Sequence, residues 1–333
     1  MPDQPSQDTA SAELERELLG GERRWTRQEV SERSGVPYEH ANALWRALGF
    51  ADVGEDVVAF TDRDVWALMT VERLGSEGWL DEQAQIAMTR ALGQSLARLA
   101  EWQLAATGSM IDTDGTEVQA LERATELVPV VEDLIGYVWR RHLAAVAGRA
   151  LASGSEDLAA APMTVGFADL VGFTSLTREI DESGLAEIVE GFESRASDII
   201  AESGGRVVKT VGDEVMFVAD HPPIGAVIGM RLAEEIGGAG DLPELRVGLA
   251  CGAVVSRLGD VYGEPANVAS RLTSLARPGS VVVDKNMADA LGDDPRWRLR
   301  RLPPRPVRGY TMLHPYRLRR AAAADEAAGA SGS

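Results

Sequence analysis

One cysteine, Cys251, occurs in 333 residues. A disulfide framework within the chain and a thiolate zinc site both need more, so both are excluded. Lysine is almost as scarce: of 33 basic residues only Lys209 and Lys285 are lysine. No apolar run approaches the roughly 20 residues that a bilayer-spanning helix needs. The first dozen residues carry no basic segment followed by an apolar one, so no secretory signal is expected and the default address is the cytoplasm. A Gly-x-x-x-x-Gly-Lys-Ser/Thr run is absent, which excludes phosphate binding of the P-loop kind. Positive charge is in deficit, with 33 basic against 52 acidic residues and a net charge of −19. Such acidity argues against a protein built to hold nucleic-acid backbones, and no nucleic-acid partner is expected.

What is present is ordinary globular material, 45% hydrophobic and 26% charged. The length suggests two domains, each able to bury a core. Small and polar residues at 1–12 and 321–333 read as frayed tails. The soft stretch 152–162 reads as a linker between a helical domain, 13–151, and a mixed domain, 163–320. The first half reads as helices. Arg27 to Ser34 and Tyr38 to Leu48 have helical apolar spacing around Gly35-Val36-Pro37. Thr61-Asp62 looks like an N-terminal cap. Ile86 to Leu104 and a long Glu126 to Leu151 segment follow, with Pro129 near the start of the latter, where proline is tolerated. Residues 1–150 hold 14 basic and 26 acidic residues, a net of −12.

The second half changes period. Thr164 to Leu170 reads as a strand and Gly184 to Ser203 as a helix. Arg206 to Val211 and Glu214 to Ala219 are strands joined by Gly212-Asp213, a hairpin signal. Ile224 to Ile236 is helical, Leu245 to Cys251 a strand, Asn267 to Ala276 a helix and Ser280 to Val283 a strand. The fold class is therefore α+β: a ferredoxin-like βαββαβ domain preceded by an all-α domain.

Position singles out a few residues in this frame. Asp169 ends the first strand and Asp213 sits at the hairpin tip. In a ferredoxin-like sheet those two places converge, and two convergent carboxylates suit Mg²⁺ or Mn²⁺. Gly172-Phe173-Thr174 precedes a helical stretch, where backbone N–H groups form an anion site. In Gly259-Asp260-Val261-Tyr262-Gly263-Glu264-Pro265-Ala266-Asn267, an Asp is followed by Asn267 and then by Arg271. The latter two lie on one helix face at i, i+4.

These blocks together resemble the catalytic domain of class III nucleotidyl cyclases, specifically adenylate cyclases. The resemblance covers residues 163–318 and rests on Asp169 before Leu-Val-Gly-Phe-Thr, Lys209 four before Asp213, and Asp260 seven before Asn267 and eleven before Arg271. It implies conversion of ATP to 3′,5′-cyclic AMP and pyrophosphate. It implies two divalent metal ions held by Asp169, Asp213 and the Leu170 backbone, in a two-metal clamp. Lys209 and Asp260 are implied as readers of adenine, which offers an acceptor at N1 and a donor at its 6-amino group. Asn267 is implied to orient the ribose, and Arg271 to stabilise transition-state charge. Gly172, Phe173 and Thr174 are implied around the phosphates. Arg308, in an arginine-rich C-terminal segment, aligns loosely with a basic triphosphate contact. A homodimer with two sites across its interface is implied as well.

In the helical half, Trp25 through Phe50 resembles a helix-turn-helix of the MerR regulator kind. Its second helix carries Glu39, His40 and Asn42 with one Arg, too few cations for phosphate contacts. A regulatory, autoinhibitory module is the better expectation, since actinobacterial cyclases of this type carry such a domain and acid pH activates some of them. His142 and His40 are then candidate pH-responsive groups, histidine titrating nearest neutrality. A proton or a lipid-type ligand is the expected input.

Overall fold

The computed structural model describes residues 7–50, 53–109, 117–153, 162–178, 180–237, 242–257, 259–307 and 310–321. The chain divides into two compact units, Met1–Leu151 and Ala152–Ser333.

The first unit is helical: α1 Gln7–Leu18, α2 Arg27–Ser34, α3 Tyr38–Leu48, α4 Asp62–Ser76, α5 Glu82–Ser109 and α6 Glu117–Ser153. Where composition predicts a frayed end, α1 begins at Gln7, because its Ala, Glu, Leu and Arg content favours helix. Two capping boxes start α2 and α4, Thr26 with Glu29 and Thr61 with Asp64. Gly35, at φ 73°, stops α2. The α2–α3 pair thus forms the expected helix-turn-helix. A bridge between Trp25 and Phe60 ties the segment before α2 to the segment before α4, over a core of Val30, Val36, Ala41, Leu44, Trp45 and Leu68. Helix α6 starts earlier than its apolar spacing suggests, so Pro129 lies inside the helix rather than near its start. No described helix is long and apolar enough to cross a membrane.

The second unit is built on a seven-stranded sheet. Its strands are β1 Pro162–Leu170, β2 Arg206–Val211, β3 Glu214–Ala219, β4 Leu245–Ala253, β7 Ser280–Val283, β8 Trp297–Arg301 and β11 Tyr316–Arg320. The hairpins β5 Val255–Arg257 with β6 Asp260–Tyr262, and β9 Arg305–Val307 with β10 Tyr310–Leu313, stand outside it. The helices are α7 Phe173–Leu176, α8 Glu182–Glu202, α9 Pro222–Arg231, α10 Glu264–Leu275 and α11 Lys285–Leu291. A π-turn, Leu232–Ile236, continues α9. The order β2-β3-β1-β4 is the ferredoxin-like core, extended by β7, β11 and β8. One sheet face buries a core with α8, α9 and α11, including Phe192, Phe217, Ile228, Leu249 and Met287. The other packs Val165, Met216, Val218 and Ala250 against Val268, Ala269 and Leu272 of α10.

Candidate active site

Strand alternation decides which residues share the α10 face. On β1, Val165 and Phe167 join the α10 core while Ala168 and Leu170 join the other, so Asp169 belongs to the α10 side. By the same parity Glu214 on β3 and Arg246 on β4 lie there. They are the direct register partners of Asp169 across β1–β3 and β1–β4.

Lys209 reaches this face through an irregularity. Val207 pairs with Phe217, but Lys209 pairs with Met216, so Val208 is an extra residue in β2. Without that bulge Lys209 would oppose Val215, which lies in the core of the opposite face.

The hairpin tip is fixed to the end of β1. Gly212 takes the left-handed conformation at φ 61° that the two-residue turn requires. The Leu170 N–H donates to the Asp213 carbonyl at 3.0 Å. Asp213 therefore sits beside Asp169. Burial raises the Asp169 carboxyl above its ordinary range; the Arg246 guanidinium pulls it back and the Asp213 carboxyl pushes it up again. Arg246 Nη2 donates to Asp169 Oδ2 at 2.5 Å. Glu214 is raised too, by burial first and then by Asp169 and Asp213, with Lys209 opposing. Sequence reasoning missed both Arg246 and Glu214. The available signals were an arginine inside the apolar strand Leu245–Cys251 and a second carboxylate directly after Asp213.

Lys209 Nζ donates to Asp260 Oδ2 at 2.6 Å, joining β2 to the β5–β6 hairpin. Asp260 Oδ1 accepts from the Val261 N–H at 2.8 Å. Burial raises the Asp260 carboxyl, but hydrogen bonds from Lys209, Val261 and Tyr262 outweigh it and leave it below the usual range.

Asn267 and Arg271 are exposed, four residues apart on α10. Glycine and threonine hold that helix in place. A Cβ on Gly248 of β4 would lie 2.3 Å from the Ala269 carbonyl and from the Thr273 nitrogen, so strand and helix meet backbone to backbone. Thr273 Oγ1 donates within reach of Ala269 O at 3.0 Å and Phe167 O at 3.3 Å.

Gly172, at φ 77°, caps α7, and its carbonyl accepts from the N–H groups of Ser175 and Leu176. The N–H groups of Phe173 and Thr174, in the first turn, have no acceptor inside the helix. Arg308 lies outside the described residues.

Residues 158–319 match the family described as Adenylate and Guanylate cyclase catalytic domain. An adenylate cyclase of Streptomyces coelicolor is 39% identical over 95% of this chain and 91% of its own length.

The chain belongs to the adenylate and guanylate cyclase family.

An adenylate cyclase of Glutamicibacter nicotianae is 39% identical over 92% of this chain and 81% of its own. A pH-sensitive adenylate cyclase of Mycobacterium tuberculosis is 33% identical over 91% and 80%. All three likenesses span most of the chain, so they extend beyond the cyclase domain into the helical unit.

In that unit the candidate histidines differ. His142 is exposed on α6. His40 is packed between α3 and α5, with 11% of its side chain exposed. Gln85 Nε2 donates to Leu80 O, so Gln85 Oε1 accepts from His40 Nε2 at 3.0 Å. That leaves His40 Nδ1 facing the Glu82 carboxylate at 3.3 Å, outside hydrogen-bond geometry. A cavity of about 540 Å³ beside α3 is lined by groups such as Arg27, Glu39, Asn42, Arg46 and Glu55. Charged walls of this kind do not suit the expected lipid-type ligand.

Proposed function

We propose that this chain is an adenylate cyclase that forms 3′,5′-cyclic AMP and pyrophosphate from ATP. The observation that carries the reading is the Lys209–Asp260 pair at 2.6 Å. An ammonium donor beside a carboxylate acceptor matches adenine, which accepts at N1 and donates from its 6-amino group. Guanine presents the reverse order, an acceptor at O6 and a donor at N1.

In the reaction the ribose 3′-oxygen bonds to the α-phosphorus, the bond from that phosphorus to the α,β-bridging oxygen breaks and pyrophosphate leaves, and the 3′-hydroxyl proton passes to water. Asn267 orients the ribose, and Arg271 stabilises charge on the phosphorus in the transition state. The N–H groups of Phe173 and Thr174, in the first turn of α7, receive phosphate oxygens. Asp169 and Asp213 suit two divalent ions, Mg²⁺ or Mn²⁺: they are oxygen donors, they repel each other, and Asp169 already holds a cation in Arg246. Among the described residues no third His, Cys, Asp or Glu joins them in a ligand cluster. Such a two-carboxylate set fits ions that take the rest of their shell from phosphate, backbone and water. Bound there, the ions supply activation of the 3′-hydroxyl and neutralisation of the triphosphate.

The working form is a homodimer with sites shared between subunits. Around the site the second unit exposes Val211, Val255, Tyr262 and Leu275, apolar groups that a second copy covers. The helical unit controls activity, with the proton as its input. His40 is the residue placed to carry that input, because it lies between α3 and α5 with Nδ1 3.3 Å from the Glu82 carboxylate.

The test is cyclic nucleotide formation from ATP and from GTP with Mn²⁺, using the full chain and its Asp213→Ala variant. Cyclic AMP from ATP that disappears in the variant supports the reading. No product while ATP still binds overturns it in favour of a nucleotide sensor.

A further inference from the structure

The far edge of the sheet carries a concentration of positive charge that the proposed reaction does not use. Strands β8 and β11 pair antiparallel, with Arg298 opposite Arg319 and Arg300 opposite Arg317. The alternate residues Trp297, Leu299, Tyr316 and Leu318 turn into the core, so these four arginines share the other face. Arg317 lies opposite Val282 of β7, which places the cluster on the α10 side. Arg277, just past the end of α10, adds a fifth charge close enough to act on Arg317.

Directly opposed like charges destabilise a strand pair. A chain with 52 acidic residues has carboxylates to spare, and it uses them on the neighbours: Arg320 meets Glu234 at 2.9 Å and Arg296 meets Asp294 at 2.6 Å. Among the described residues no carboxylate pairs with Arg277, Arg298, Arg300, Arg317 or Arg319. Arg317 Nε is buried with no hydrogen-bond partner. Arg298 Nη1 donates to the Trp297 carbonyl at 3.4 Å. Protection of a sheet edge explains arginines on β8, which is the edge strand. It does not explain Arg317 and Arg319, because β11 lies inside the sheet between β7 and β8.

We propose that this arginine face is a binding site for a compact oligophosphate. Facing positions on paired strands are about 5 Å apart, and alternate positions along a strand about 7 Å. The four guanidinium forks therefore cover an area that a chain of two or three phosphates fills, each fork taking two oxygens. A long nucleic acid carries its charge far beyond so small a patch and meets a surface of net charge −19. The site is separate from the Asp169–Asp213 pair. Three strand spacings, about 14 Å, separate β1 from β11.

The experiment is calorimetric titration of the full chain with inorganic tripolyphosphate, and separately with ATP, both without divalent metal. The expected result is saturable binding of both, weakening about tenfold or more between roughly 50 and 200 mM salt. An Arg298→Gln/Arg319→Gln variant loses at least about tenfold in affinity for both ligands, by loss of charge-assisted contacts. An Arg298→Lys/Arg319→Lys variant keeps salt-dependent binding, which separates lost charge from lost fold. Asp213→Asn/Arg271→Gln binds tripolyphosphate as the parent does. The proposal is overturned by absence of saturable binding, by binding of ATP alone, by undiminished binding in the Gln pair, or by loss of binding in the Asp213/Arg271 variant.

Discussion

Replacing Lys209 with methionine separates purine reading from folding. The substitution keeps the length of the side chain and removes its charge and its donors. Lys209 and Asp260 keep 43% and 25% of their side-chain surface in water. An ion pair that open contributes at most about 1 kcal/mol to stability. The expected fall in Tm is therefore below about 4 °C. Toward ATP the loss is larger, because a charge-assisted hydrogen bond to the base is worth about 1.5–3 kcal/mol. That predicts a drop in kcat/KM for ATP of roughly 10- to 150-fold. Guanine presents no matching acceptor to this lysine through N1, so the GTP rate changes less and the preference for ATP collapses by about the same factor. The assay is kcat/KM for both nucleotides beside a thermal melt. An ATP value within about twofold of the parent refutes the reasoning. A melt lowered by much more than about 4 °C refutes it as well, because the pair is then a structural strut.

Asp213→Ala is expected to reduce cyclisation by about 10³-fold or more, as several kcal/mol of metal-dependent stabilisation are lost. It should not lower Tm, since Asp213 repels Asp169 and Glu214 in the folded chain. Asp284 predicts a pH dependence of stability. Burial lifts its carboxyl to about 6, against hydrogen bonds from Met287 and neighbouring backbone. A carboxyl raised on folding adds stability that is complete below about pH 4 and is lost as pH rises through 6, up to about 3 kcal/mol in all. Asp284→Asn keeps a cap acceptor for Met287 and removes the titration, so urea unfolding at pH 4.5 and 7.5 should show a smaller difference than in the parent. His40→Gln should flatten the pH–activity profile of the full chain while His142→Gln leaves it in place; the reverse pattern sinks the role given to His40.

Most of the second unit was readable because its segments are strongly periodic. The βαββαβ order and the limits of β2, β3 and β7 are visible in the sequence and in the fold alike. Asp169 and Asp213 were legible because one ends a strand and the other occupies a two-residue turn beside it. What puts Lys209 on the same face was not legible. Alternation from Val207 points it into the opposite core, and the extra residue Val208 reverses that. Arg246 and Glu214 were hidden for a related reason. Each becomes meaningful through the strand it lies next to, and sequence spacing carries no cross-strand register. In the first unit the segment read as helical from the sequence begins at Glu126, whereas α6 begins at Glu117, and that is why Pro129 falls inside the helix.

The contact at Gly248 limits how such an enzyme can be switched. With no side chain between them, β4 and α10 touch through their backbones, and Thr273 bridges from the helix to β1. A helix cushioned by side chains can slide by repacking them; this one has nothing to repack at its closest point. Asn267 and Arg271 therefore travel with the sheet as one solid piece. Tilting these two groups away from the sheet would mean opening the backbone contact between β4 and α10. For the shared-site dimer proposed above, a switch that leaves this contact intact acts on how the two copies meet rather than on the seating of α10.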